Sequence, residues 1–305
     1  MIVVAGEALV DLVIGVDGTV VAKLGGGPYN VARTIGRLDR PVSFLGSISN
    51  DRFGSQLFAH LLADGVSADA TTRTDLPTTL AAAELDDSGA ATYRFYITDT
   101  SAPALVEVPQ AAASPRAVHA GTLGLVLEPM ASTVAGYLAQ LPAATLVMLD
   151  PNCRTRVVPE RAAYLRRLDQ CMALSHIVKI STDDAEYMAP GVDPEEYARK
   201  LVHGGVAVVL LTAGGDGAWA VTPQRATLVP VQPITVADTI GAGDSFGGSF
   251  LAWWLDRGYG VGELKDHDAV VAAVEAAQEV AAFTCSQVGA EPPRRAQLSA
   301  RWQPA

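Results

Sequence analysis

Asp238-Thr239-Ile240-Gly241-Ala242-Gly243-Asp244-Ser245-Phe246 is the stretch that decides how the rest of the chain reads. A strand-like segment, residues 229–236, leads into it, and Phe246, Phe250, Trp253 and Trp254 follow at helical spacing. The pattern predicts a strand, a glycine turn and a helix. Glycines at the turn let the backbone approach a ligand with no Cβ in the way. The first N–H groups of a helix lack partners within it, and the dipole there is positive, so such a turn suits an anion. Asp244 puts a carboxylate in the same place. A site built only to hold phosphate has no use for that charge. A site that removes a proton from a hydroxyl while steadying an incoming phosphoryl group does.

The chain has 305 residues, of which 49% are hydrophobic and 18% charged, enough to bury a large core. Its net charge of −11 argues against non-specific nucleic-acid binding. A local site for a phosphorylated small molecule remains compatible with an acidic protein. Cys153, Cys171 and Cys285 lie far apart and make no metal-ligand spacing, which predicts reduced thiols in a cytoplasmic protein. The chain starts on a strand-like run with no signal-peptide pattern, and no apolar run is long enough to span a membrane.

From about residue 115 onward, short apolar runs alternate with helical stretches. Runs at residues 117–121, 145–149, 177–180 and 206–211 are followed by helical patterns or polar loops, the helices expected at 128–140, 160–175 and 182–188. Continuous apolar strands separated by helices predict an α/β fold with a mostly parallel sheet covered on both faces. Ligands then bind at the carboxyl ends of the strands. Two segments break the pattern. Residues 12–24 read as a hairpin turning at Asp17-Gly18, and residues 79–96 as a second turning around Asp87–Gly89. Pairing of the two predicts a small β-sheet lid, residues 12–24 and 72–96, beside a body made of 1–11, 25–71 and 97–305. A lid keeps water from competing with an acceptor hydroxyl.

Gly25-Gly-Gly-Pro-Tyr-Asn-Val-Ala32 is a second glycine turn leading into a helix. It matches neither a P-loop nor a dinucleotide fingerprint. Asn30 in its first turn offers a donor and an acceptor to a polyol, and Asp11, after the first strand, can accept two sugar hydroxyls.

Taken together, these residues resemble the carbohydrate kinases of the ribokinase, or PfkB, family, from Gly6 to about Pro292. Gly25-Gly-x-Pro-x-Asn-x-Ala32 and Asp238-Thr-x-Gly-Ala-Gly-Asp244 stand in the family's order, with the lid pattern between them. The resemblance implies a ribokinase-like three-layer α/β/α fold and transfer of the γ-phosphoryl group of ATP to a sugar hydroxyl. It implies Asp244 as catalytic base and Gly241, Ala242 and Gly243 as an anion hole. Asp11, Gly26, Gly27 and Asn30 match its sugar positions. Thr212, Gly214 and Gly217 match the segment lining the nucleotide, and residues 281–289 the wall of the adenine pocket. Lys179 and Arg154 are expected near phosphate. ATP chemistry in an acidic protein calls for Mg²⁺. The family's Asn-x-x-Glu appears as Ser181-Thr-Asp-Asp184, which points to Asp184 acting through water. Asp238 is expected beside a monovalent cation, K⁺. Asp39 and Ser49 stand where the first signature continues with glycine.

Gly6-Glu-Ala-Leu-Val-Asp11, residues 121–129, Asp150-Pro-Asn-x-Arg154 and Val178-Lys-Ile-Ser181 lean towards the bacterial fructokinase branch. Tyr93 belongs to a lid edge, Tyr93-Arg-Phe-Tyr96, that can stack on a sugar ring, while Arg94 suits the carboxylate of 2-keto-3-deoxygluconate. Ribose and nucleosides stay open. The open edges and apolar face of a small lid sheet predict a homodimer through the lid.

Overall fold

The computed structural model describes residues 1–86 and 91–303. In chain order its strands are β1 (Ile2–Ala5), β2 (Leu9–Ile14), β3 (Val20–Gly25), β4 (Val42–Ser49), β5 (Val66–Ser67), β6 (Thr71–Thr74), β7 (Leu80–Leu85), β8 (Ala91–Tyr96), β9 (Ala117–Gly121), β10 (Leu146–Asp150), β11 (Ile177–Ser181), β12 (Val208–Thr212), β13 (Ala218–Val221) and β14 (Ala226–Val229). The α-helices are α1 (Gly27–Arg37), α2 (Arg52–Ala63), α3 (Met130–Gln140), α4 (Arg161–Met172), α5 (Thr182–Met188), α6 (Pro194–His203), α7 (Ala242–Asp256) and α8 (His267–Cys285).

The main sheet runs β14-β13-β12-β11-β10-β9-β1-β4-β5, with β6 also on β4; it is parallel from β12 to β5 and antiparallel at β13 and β14. Its central strands are buried on both faces, so they are mostly apolar rather than alternating. β1 shows why: Ile2 and Val4 pack among residues of α1, α7 and α8, while Val3 and Ala5 pack among residues of α3, α4 and α6. Two cores sandwich one sheet, giving three layers. β1 is the switch point, flanked by β4 on one side and β9 on the other. The loops at the carboxyl ends of β1, β9, β10, β11 and β12 therefore open into one crevice.

The lid is a separate sheet in the order β3-β2-β7-β8. Each hairpin is antiparallel, and β2 joins β7 in parallel. At its base the hydroxyls of Thr79 and Thr100 meet at 2.7 Å, and Thr79 Oγ1 also accepts from the N–H of Ala102. The Asp87–Gly89 turn lies outside the described residues. No helix is long and apolar enough to cross a membrane among the residues described.

Three sequence expectations need correction. Residues 230–236 are not a strand: β14 stops at Val229, because Pro230 and Pro233 remove ladder donors. Asp11 stands on lid strand β2, not at the end of the first body strand, because β1 ends at Ala5 and Gly6, at φ +148, turns the chain away. Residues 71–74 pair with β4 in the main sheet. The helix expected at 128–140 starts at Met130, with Pro129 at its cap, and that expected at 160–175 spans Arg161–Met172.

Candidate active site

The glycine turn caps α7. Gly241 holds φ +78, and a Cβ there would come within 2.5 Å of Ala290 Cβ, so only glycine fits both the backbone and the space. Among the described residues, no acceptor meets the N–H groups of Gly241, Gly243 or Asp244, while the N–H of Ala242 turns back to Thr239 O at 3.3 Å. The open donors at this helix start are thus Gly241, Gly243 and Asp244 itself, a set suited to an anion. Asp244 lies in the first helical turn, only 9% exposed. Asn30 Nδ2, from α1, donates to its Oδ2 at 2.9 Å. Burial raises the pKa of Asp244, against the pull of Asn30, Lys179 and Arg154. Asn30 Oδ1 is buried and receives no hydrogen bond from the described residues, an acceptor suited to a ligand hydroxyl.

The second glycine turn closes around the same point. Gly26 has φ +114, and a Cβ would sit 2.7 Å from Glu7 O. On Gly27 a Cβ would lie 2.6 Å from Thr122 Oγ1 and 3.3 Å from Asp244 Oδ1. Glu7, buried just after β1, accepts from Gly27 N through Oε1 and from Gly124 N through Oε2, so one carboxyl group ties two loops together. Burial pushes its pKa to about 8. Asp11 faces the crevice from β2, and burial lifts it to about 6 despite the opposing charges of Arg154 and Lys23. Thr122 and Asn152 hold φ +53 and +39. For a β-branched threonine that is a costly backbone, of the kind that clusters at functional sites.

Lys179, on β11, is buried and donates from Nζ to Asp150 Oδ2 at 2.8 Å. Burial works against its charge, but the carboxylates of Asp150, Asp184 and Asp244 outweigh it and raise its pKa. Its Nζ also lies 3.0 Å from where a Cβ on Gly243 would be, so the ammonium backs the anion turn. Asp184 closes a capping box on α5: Oδ2 accepts from Ser181 N and Oγ, and Oδ1 from Cys153 N. Asp238 accepts from Ile240 N and Gly289 N, and the Lys23 ammonium stands 3.9 Å from it.

These residues surround a crevice of about 810 Å³. Asp11, Gly26, Gly27, Asn30, Tyr93, Arg154, Lys179, Asp184, Thr212, Gly214, Gly241, Gly243 and Asp244 all reach it; Ala242 and Asp238, though next to lining residues in the chain, do not line it. Two further expected residues, Arg94 and Gly217, also stay off its lining. Arg94 alternates away from Tyr93 and Phe95, which stack at 6.3 Å, and pairs with Glu84 on the other face of the lid. Gly217 is held off the crevice with its Cα against Val229 O, where a Cβ would come within 2.3 Å. Residues that the sequence did not single out, Glu7, Lys23, Phe95, Thr122, Asn152 and Arg156, line it as well. For Phe95 the strand alternation carried the signal; for Glu7 and Lys23 nothing in the local spacing did.

A buried carboxylate beside unpaired helix-start N–H groups, under a sheet lid, suits a phosphotransferase with an alcohol group as acceptor, which is the class of this chain. The family model for "pfkB family carbohydrate kinase" matches residues 1–297, and the chain belongs to that family. A fructokinase from Rhizobium leguminosarum bv. trifolii is 32% identical over 259 residues, covering 83% of this chain and 79% of that protein. A fructokinase from Vibrio alginolyticus is 27% identical across 94% of this chain and 93% of its own. Among solved structures, a fructokinase from Xylella fastidiosa with bound ATP superposes with a TM-score of 0.86 at 27% identity, covering 95% of this chain and 93% of that one. The fold is ribokinase-like.

Proposed function

We propose that this enzyme transfers the γ-phosphoryl group of ATP to a hydroxyl of fructose. The observation that carries the reading is Asp244, held by Asn30 at 2.9 Å and facing a helix start whose N–H groups are open. Asp244 takes the hydroxyl proton as the sugar oxygen attacks the γ-phosphorus, and the bond to the β–γ bridging oxygen breaks, leaving ADP. The N–H groups of Gly241, Gly243 and Asp244, backed by Lys179, meet the charge on the moving group. Asp11, Asn30 and the turn at Gly26 and Gly27 hold the sugar, Tyr93 and Phe95 cover it from the lid, and Thr212 and Gly214 border the nucleotide. Fructose is favoured by the named function of the relatives that span most of the chain.

Magnesium bound to ATP would neutralise phosphate charge. Asp184 fits a role through water, since it lines the crevice and its three donors leave Oδ1 with one lone pair uncommitted. Asp238 fits a second cation poorly, because the Lys23 ammonium already stands 3.9 Å from it. The free cysteines suit the reducing cytoplasm.

A coupled ADP-release assay across fructose, 2-keto-3-deoxygluconate, ribose and nucleosides tests the assignment. Fructose should give the highest kcat/KM. Preference for the sugar acid would instead assign Arg154 and Arg156, which line the crevice, to a substrate carboxylate.

Acidity should weaken the enzyme early. Asp11 must be ionised to accept sugar hydroxyls and Asp244 to take a proton, and burial raises both. As pH falls through about 6, Asp11 protonates and kcat/KM for the sugar should drop. An ordinary aspartate would hold until about pH 4. A pH–rate profile flat down to that value would contradict this account.

The lid also carries exposed Val16, Val20, Val21 and Tyr96 between open edges at β3 and β8. A homodimer through this sheet covers both. Sedimentation equilibrium should return twice the chain mass; a monomer at micromolar concentration would refute it.

A further inference from the structure

We infer that Arg33 is a positioning residue for phosphoryl transfer: it fixes the anion turn through Ala290, while Asn30, one helical turn earlier, fixes Asp244. The role named for this turn rests on the reading under Proposed function. The geometry does not.

Arg33 lies on α1 and is 2% exposed. Its guanidinium spreads over separate segments of the chain. Nε donates to Asp64 Oδ2 at 2.7 Å, beyond α2. Nη1 donates to the backbone carbonyl of Ala290 at 3.0 Å, and Nη2 to the Glu291 carboxylate at 3.1 and 3.3 Å. The Ala290 contact matters most, because Ala290 abuts the turn. A Cβ on Gly241 would come 2.5 Å from Ala290 Cβ and 3.0 Å from its Cα, with Asn30 Nδ2 3.8 Å from the same point. Gly241 is therefore crowded by both Ala290, which Arg33 holds, and Asn30, which shares α1 with Arg33.

The C-terminal loop is tied to the turn from behind as well. Asp238 accepts from Gly289 N and from Ile240 N, and Cys285 O accepts from Ala237 N and Asp238 N. Arg33 adds the tie that reaches across to the sugar helix. Its planar fork supplies these bonds in fixed directions, which a lysine ammonium cannot do. A buried ionic network is weak evidence of stabilisation in itself, since apolar side chains often serve as well. Placement of the turn is what this one secures. A small shift of Ala290 would move the N–H groups away from the phosphoryl group.

Three variants test this: Arg33→Lys, Glu291→Gln and Ala290→Gly. Glu291→Gln leaves the Arg33–Ala290 bond in place and serves as the control for loss of network charge. Ala290→Gly keeps every Arg33 bond but removes the methyl group that crowds Gly241. Hydrogen–deuterium exchange of residues 237–246 needs no turnover. It should speed up in Arg33→Lys and Ala290→Gly but not in Glu291→Gln. In kinetics well below each variant's Tm, Arg33→Lys should lose about 10- to 100-fold in kcat with sugar KM nearly unchanged. Glu291→Gln should keep kcat even where its Tm drops. Unchanged exchange at the turn overturns the inference whatever the activity, as does a kcat that simply follows Tm across the variants. Should Arg33→Lys not fold, Ala290→Gly decides by the same exchange. Faster exchange with no sugar phosphorylation by the parent enzyme sinks the proposed function alone.

Discussion

Asp244→Asn should lower kcat by about 10³-fold while leaving the fold and the sugar affinity intact. The substitution is close to isosteric. The new amide oxygen can take over the hydrogen bond that Asn30 Nδ2 gives Oδ2, so the contact between α1 and α7 survives. What disappears is the group proposed to receive the acceptor proton. The helix-start N–H groups remain, so residual turnover from orientation and charge stabilisation should persist. Stability should move the other way. Burial raises this carboxyl's pKa, so ionising it above the ordinary aspartate range costs the native state, and a neutral amide escapes that cost. Steady-state kinetics with thermal denaturation would check both arms. Wild-type kcat in the variant would take the base role from Asp244.

Lys179→Met should be the most damaging change to stability and should also abolish most turnover. It strips the partner from Asp150, which is 2% exposed and whose Oδ1 already lacks a hydrogen bond. Breaking one side of such a buried pair costs about 3–5 kcal/mol. The double variant Lys179→Met with Asp150→Leu removes both charges and should recover most of that loss. It should not recover catalysis, because the ammonium behind Gly243 is still missing and losing such a stabiliser costs about 10²-fold or more in kcat. Urea unfolding and kcat on the single and double variants would separate the two effects. A double variant that regained turnover would confine Lys179 to neutralising Asp150.

The layered fold was legible because buried parallel strands write themselves as largely apolar runs, and β9 to β12 do so despite His119 and Lys179. Both glycine turns were legible from residue type and order. Their meeting was not: Asn30 and Asp244 touch at 2.9 Å across 214 positions of chain, a contact made by the sheet's switch point rather than by local spacing. Arg94 failed for a simpler reason. Residue type suggested a ligand, but strand parity put Tyr93 and Phe95 inward and Arg94 out. At 230–236 the valine and isoleucine content suggested a strand that the prolines forbid. Glu7 was invisible because its work, holding Gly27 and Gly124, depends on loops from distant parts of the chain.

Asp11 belongs to the cover and not to the vessel. On the proposed reading, a carbohydrate gripped there would be gripped by the very element that shields it, so recognition and sheltering would draw on a single set of contacts. An analogue lacking the hydroxyl proposed to meet Asp11 should then forfeit speed along with affinity, since the energy that would have drawn the roof down never becomes available.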